Sequence, residues 1–223
     1  MALEIVMSRV RRVLSRGVRR VVPGWRRRRV RGLCSLPALV LCLGLGLSSC
    51  GEDVPDVALE AEASAQQQLL DGEPSAALAT CRKALAGGAE SPGLRLAAAT
   101  ACLDLKRLSD ALSHARVGLN DRRTSGPIRA DLSWAEGKAA LLRYRELSDE
   151  TDWRRANSSL ETASEAGEHR LEAATLLVIM QHTHPRGDAA RKARFAALVR
   201  ELAPDSKEAA TVARLMQSED AGG

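Results

Sequence analysis

The chain has 223 residues, a formal net charge of +5 and 45% hydrophobic residues, yet only 2% are aromatic. So few aromatic side chains exclude a base-stacking surface and an aromatic-cored β-sandwich. A net basic chain ordinarily points to a polyanionic partner, but here the charge is divided unevenly.

Residues 1–49 hold eleven arginines, from Arg9 to Arg31, against the single acid Glu4, a net of +10; the rest of the chain nets −5. After the arginines comes an uncharged stretch from Gly32 to Gly51. A basic start, an apolar run and small residues before a cut are the layout of a secretory signal, removed from the mature protein. The arginine run leads into that segment and is lost with it, so no nucleic-acid arm is expected. The alternative is an uncleaved spanning helix over Leu33–Ser49, at the lower edge of the roughly 17–25 residues that cross a bilayer.

Leu47-Ser48-Ser49-Cys50 resembles the bacterial lipobox, in which an aliphatic residue and two small ones precede a cysteine. The resemblance implies that Cys50 is the lipidated residue and the mature N-terminus. Durable anchoring then takes more than one acyl chain, since each buried methylene contributes roughly 0.8 kcal/mol. Gly51 in place of Asp after that cysteine implies the outer membrane, facing the periplasm. The basic segment is longer than such signals usually have, and the residues of a twin-arginine signal are absent after Arg26–Arg31. The expected organisation is a signal at 1–49, a lipidated tether at 50–56, a helical domain at 57–217 and a flexible tail at 218–223.

From Val57 onward the sequence is rich in alanine and leucine, has helical periodicity and contains no convincing strand. Ala77-Leu78 recurs as Ala111-Leu112, Ala84-Leu85 as Gly118-Leu119, Ala65 as Ala99 and Leu69 as Leu103, each 34 residues apart. That period and its small residues resemble the tetratricopeptide family, whose paired helices need small side chains where their axes approach to 8–10 Å. The first unit has Ala65, Ala77 and Ala84, with Asp71-Gly72-Glu73-Pro74 as its turn; Gly supplies a left-handed cap and Pro opens the next helix. The second has Ala99, Ala111 and Gly118, with a less orthodox turn at Lys106–Ser109. In the third, Gly137, Ala156 and Ala163 fit only with extra residues around Asn120–Pro127 and Glu146–Trp153. The fourth has Leu177, Ala189 and Ala196, with a turn at Pro185–Asp188. Asp205 then caps a last helix running to about Gln217, covering the final apolar face. The expected fold is all-α: a short right-handed helical-hairpin solenoid of about four degenerate repeats plus a C-terminal capping helix. An alanine-rich helical bundle with accidental periodicity is the alternative.

The resemblance also implies a concave surface made by the first helix of each pair. Transferred position by position, it gives Glu62, Gln66 and Leu69; Leu96, Thr100 and Leu103; Trp134, Lys138 and Leu141; and Ala174, Val178 and Gln181. Trp134 is the foremost contact candidate, because tryptophan is a favoured hot-spot residue. These leucines packing only against neighbouring helices is the competing reading. Cys81 and Cys102 fall on neighbouring helices. In an oxidising compartment a disulfide between them could contribute roughly 3 kcal/mol; two buried thiols acting as small hydrophobes is the alternative.

No enzyme is expected. There is no phosphate-cradling glycine loop after a strand, no Cys-x-x-Cys pair and no nucleophile-elbow serine. His182 and His184 lie two apart rather than on one helical face, which favours solvated helix-end histidines over a metal site. His114 and His169 stand isolated in sequence. Asp149, Glu150 and Asp152 read as a solvated acidic loop. No cofactor or metal is implied. The expected function is a non-catalytic, membrane-anchored scaffold that binds a protein or peptide of an envelope machine. A divergent envelope enzyme, a purely structural lipoprotein and a single-span anchored protein are the rivals.

Overall fold

The computed structural model describes residues 56–185 and 187–220. The segments expected to be a signal (1–49) and a lipidated tether (50–56) lie outside the described residues, apart from Asp56. Those described form nine helices and no strand: α1 Asp56–Leu70, α2 Pro74–Ala86, α3 Pro92–Asp104, α4 Leu108–Asn120, α5 Gly126–Leu147, α6 Glu150–Ala163, α7 Arg170–Thr183, α8 Ala189–Leu202 and α9 Lys207–Asp220. None of them is long and apolar enough to cross a membrane.

Local chemistry sets most of the boundaries. Proline occupies the first turn of α2, α3 and α5, where its missing N–H leaves no bond unmade. Side-chain caps open others: Ser91 accepts from the Leu94 N–H at 2.9 Å, Asp149 from Thr151 at 2.8 Å and Asp188 from Arg191 at 3.0 Å. At α9 the cap is Ser206, whose hydroxyl accepts from the Ala209 N–H at 3.0 Å, rather than the expected Asp205. The spacing from cap to third helical residue favours the serine. The helix then runs to Asp220, past the expected end at Gln217.

The helices stack as antiparallel hairpins. Odd-numbered helices touch one another, α1 with α3, α3 with α5 and α7 with α9, while each even-numbered helix packs between two odd ones. Ala65, Ala77, Ala99, Ala111 and Ala156 are fully buried at those crossings, with Ala163 and Ala196 at 1% exposure. Gly137 shows why size matters there. A Cβ at that position would lie 2.7 Å from Leu160 Cγ, so α5 and α6 meet at a distance that excludes even alanine without a shift. The fourth pair departs from the pattern. Ala189 is exposed because α8 begins with it, ahead of the packed part of the helix, and the fully buried Leu177 fills the site where the other units keep small residues.

The extra residues of the third unit are helical rather than loop. α5 has 22 residues where α3 has 13, and Glu150–Trp153 is the first turn of α6.

The two clearest turns are built alike, 34 residues apart. After α1, Gly72 adopts φ +78° and the Glu73 N–H bonds to the Gln68 carbonyl at 2.8 Å. After α3, Lys106 adopts φ +57° and the Arg107 N–H bonds to the Cys102 carbonyl at 2.8 Å. A left-handed lysine carries about 1 kcal/mol of strain that glycine does not. Lys106→Gly is therefore expected to raise the melting temperature by roughly 2–4 °C, and Gly72→Ala to lower it by a similar amount.

Candidate interaction surface

The residues singled out on the odd-numbered helices divide by accessibility along the stack. On α1, Gln66 is exposed, while Glu62 and Leu69 are half-buried; Leu96 and Thr100 on α3, and Lys138 and Leu141 on α5, are half-buried. Leu103 and Trp134 are 7% and 4% exposed. On α7, Ala174 and Val178 are fully buried and Gln181 is 5% exposed. The reachable part of the face therefore lies on α1, α3 and α5.

The closed end is held by polar contacts that follow from no sequence motif. The Gln181 side-chain amide meets that of Asn157 on α6 at 2.8 Å, and its Oε1 accepts from the Asp188 N–H at 2.9 Å. Gln181 thus ties α6 and the start of α8 to α7.

Trp134 is a joint rather than an exposed contact. The His169 ring stacks on it at 3.5 Å with an interplanar angle of 8°, and Lys138 Nζ lies 4.6 Å from the ring centre. Lys138 also pairs with Glu172 at 2.8 Å. Beside them, the buried Asp131 carboxylate accepts from the Glu168 N–H at 2.9 Å and from the His169 N–H at 3.4 Å. α5 and α7 therefore meet through side chains and through the turn that precedes α7. Asp104, at the end of α3, feels the same group. Partial desolvation raises its carboxyl above the ordinary range; Lys138 works against that rise and Glu172 adds to it.

A second aromatic joint lies between α5, α6 and the end of α7. His184, only 8% exposed, stacks on Trp153 at 4.2 Å, lies 6.0 Å from Tyr144 and contacts Glu150 at 3.2 Å. The solvated helix-end reading is thus corrected for His184, which an adjacent aromatic pair makes worth burying. The acidic-loop reading is corrected as well. Asp149 caps α6, and Asp152, at 1% exposure, lies 3.3 Å from both Arg143 and Arg155. Glu136 extends the charged seam, 3.1 Å from Arg116 and 2.8 Å from the Ser159 hydroxyl that donates to it.

His169 and His114 both have lowered pKa values, each chiefly through burial; the cation of Arg95, 3.3 Å from His114, adds to the second. Groups depressed on folding stabilise the fold above their unfolded pKa of about 6.5, and that contribution is lost as pH falls through the folded value. Melting temperature is expected to decline between pH 7 and pH 5. The decline should be smaller in the variant His114→Gln/His169→Phe, measured by circular dichroism across that range.

Cys81 and Cys102 are both fully buried and both free thiols. Burial, reinforced by neighbouring Cys102, pushes Cys81 up to about 11; burial and then Asp110 raise Cys102. Neither is suited to act as a thiolate at neutral pH. A recess of about 290 Å³ lies between Ser164, Arg170, Arg194, Leu198 and Glu201. Its arginines are already committed, Arg170 to the Ser164 carbonyl at 2.8 Å and Arg194 to Glu161 at 3.1 Å. Among the described residues no group of three or more His, Cys, Asp or Glu could hold a metal ion.

Comparison with known proteins leaves the geometry to speak alone: no family model matches the chain, and neither curated proteins nor solved structures gave a match.

Proposed function

We propose that the mature chain is a bacterial envelope lipoprotein, anchored through Cys50, whose helical hairpins form a non-catalytic scaffold similar to tetratricopeptide repeats and hold a partner polypeptide on the face of α1, α3 and α5. The signal layout and the Leu47–Cys50 motif support the anchor. The 34-residue spacing supports the repeat reading, since its small residues fall at the hairpin crossings in the first two units, and Gly137, Ala156 and Ala163 take the same places in the longer third.

One observation carries the binding role. Equivalent positions on four odd-numbered helices are sealed on α7, whereas on α1, α3 and α5 all but Leu103 and Trp134 remain open or half-open, and there apolar Leu69, Leu96 and Leu141 alternate with Glu62, Gln66, Thr100 and Lys138. A mixed surface of that kind suits polypeptide recognition, with apolar contacts for affinity and polar ones for register. Photo-crosslinking side chains placed at Gln66 and Thr100 in the native host are expected to trap the same partner. Exposed positions on even-numbered helices, Lys83 and Ser113, should not. Equal adducts from all four positions would overturn the face. For the anchor, Cys50→Ala is expected to abolish incorporation of labelled palmitate; retained label would overturn it.

A further inference from the structure

Among the described residues the stack is covered by a further helix at one end only. At its C-terminal end α9 packs on α7 and α8, whereas α1 at the other end packs against α2 and α3. The uncovered side of α1 is not uniformly polar. Leu59 is 52% exposed and Leu70 67% exposed, with exposed Ala63 and Gln66 between them. At about 100° per residue these four positions lie within about 60° of one another, a continuous stripe along the helix. Ala58 and Ala65, which pack inward, occupy a different side and are fully buried.

Carboxylates flank this stripe, Glu60 and Asp71 along one edge and Glu62 along the other. From Cys50 to Cys81 the sequence has seven acids and no base. Among the described residues none of Glu60, Glu62, Asp71 and Glu73 takes part in an ion pair with a Lys or Arg. Glu62 accepts from the Ser91 hydroxyl at 3.0 Å and the Gln66 amide at 3.3 Å, and Asp71 accepts from the Gln67 amide at 3.0 Å. Elsewhere in the stack carboxylates such as Asp152, Glu136 and Glu161 have arginine partners. Negative charge around an exposed apolar stripe attracts a cationic partner and repels an anionic one.

We propose that this face of α1 docks a basic amphipathic helix of a partner protein, its apolar side chains against Leu59, Ala63 and Leu70 and its Lys and Arg residues opposite Glu60, Glu62 and Asp71. The proposal rests on the scaffold reading above and names the chemistry of the partner. An anionic membrane would match the leucines but meet the carboxylates of Glu60, Glu62 and Asp71, of its own sign, and the charge selects against it. Helix-on-helix docking is the mode that uses such a stripe, with anchors at one-turn spacing.

The test uses the full chain in detergent and a fluorescent, roughly 18-residue Leu/Lys amphipathic peptide, about five helical turns, read by anisotropy. Saturable binding is expected, weakening with added salt. Leu59→Gln/Leu70→Gln and Glu60→Gln/Glu62→Gln should each reduce affinity by about tenfold or more. Leu147→Gln, on another exposed leucine at 64%, should leave it unchanged. Thermal melts confirm folding, since all these leucines lie on the surface. Absence of binding, equal binding of a Leu/Glu peptide, or equal loss in Leu147→Gln would overturn the proposal. So would a shift from dimer to monomer in Leu59→Gln/Leu70→Gln, which would give the face to a second copy. Loss of phosphatidylglycerol-vesicle binding in that variant, with peptide binding intact, would give the face to lipid and likewise overturn it. If the Gln66 and Thr100 adducts persist while the basic peptide fails to bind, the scaffold reading stands and this inference alone falls.

Discussion

Trp134→Ala is expected to destabilise the fold by about 3–5 kcal/mol, the usual cost of truncating a buried tryptophan, and so to lower the melting temperature by roughly 6–20 °C. The ring is 4% exposed, carries the stacked His169 and lies beneath Lys138, so its removal opens the contact between α5 and the start of α7. Trp134→Phe is expected to lose far less, within about 1.5 kcal/mol. It keeps an aromatic face for His169, and it removes an indole N–H that is buried without a hydrogen-bond partner, a group that costs about 1–3 kcal/mol to bury unsatisfied. Equal losses in the two variants would show that the ring does not act through stacking. A binding assay on Trp134→Ala alone would confuse a lost contact with a loosened stack, which is why the crosslinking positions are on α1 and α3.

Arg143→Met/Arg155→Met is expected to cost about 3 kcal/mol. Both guanidinium groups lie 3.3 Å from Asp152, whose side chain is 2% exposed, and removing them leaves a buried carboxylate without a cation. Asp152 sits in the first turn of α6, where the helix dipole offsets part of that penalty and keeps the effect at the lower end of the range. Adding Asp152→Asn in the same background is expected to recover most of the loss, because the uncompensated charge is then gone. Chemical denaturation of the three proteins measures this. If Asp152→Asn recovers nothing, the arginines act through packing or through Glu136, which lies 3.9 Å from Arg155.

Helix content and the hairpin pairing were legible in the sequence because they depend on nearby residues. Gly72 before Pro74, Ser91 before Pro92 and Asp188 before Ala189 end or begin helices through bonds within a few positions. Small residues 34 apart mark crossings because a helix axis can approach closely only where side chains are short. The candidate face was legible only in outline. Its positions on α1 and α3 are open or half-open, Leu103 excepted, but those on α7 are not, and nothing at Val178 or Gln181 signals that difference. Burial there comes from the packing of α6, α8 and α9 around α7, which local periodicity does not specify.

By itself, then, the sequence determined that the described residues are helical, where several of their turns fall and the spacing at which the first helices pair. Tertiary structure alone decided the roles of the chemically distinctive side chains. It turned Trp134 and His169, and Trp153 and His184, into stacked joints, and made Asp152 a buried anion between two arginines rather than part of an acidic loop. It also left Leu59 and Leu70 exposed on the first of the described helices. The reason is one of range. Backbone caps and helical spacing act over a few residues, whereas the burial of a ring or a charge depends on which surfaces meet after the stack has closed.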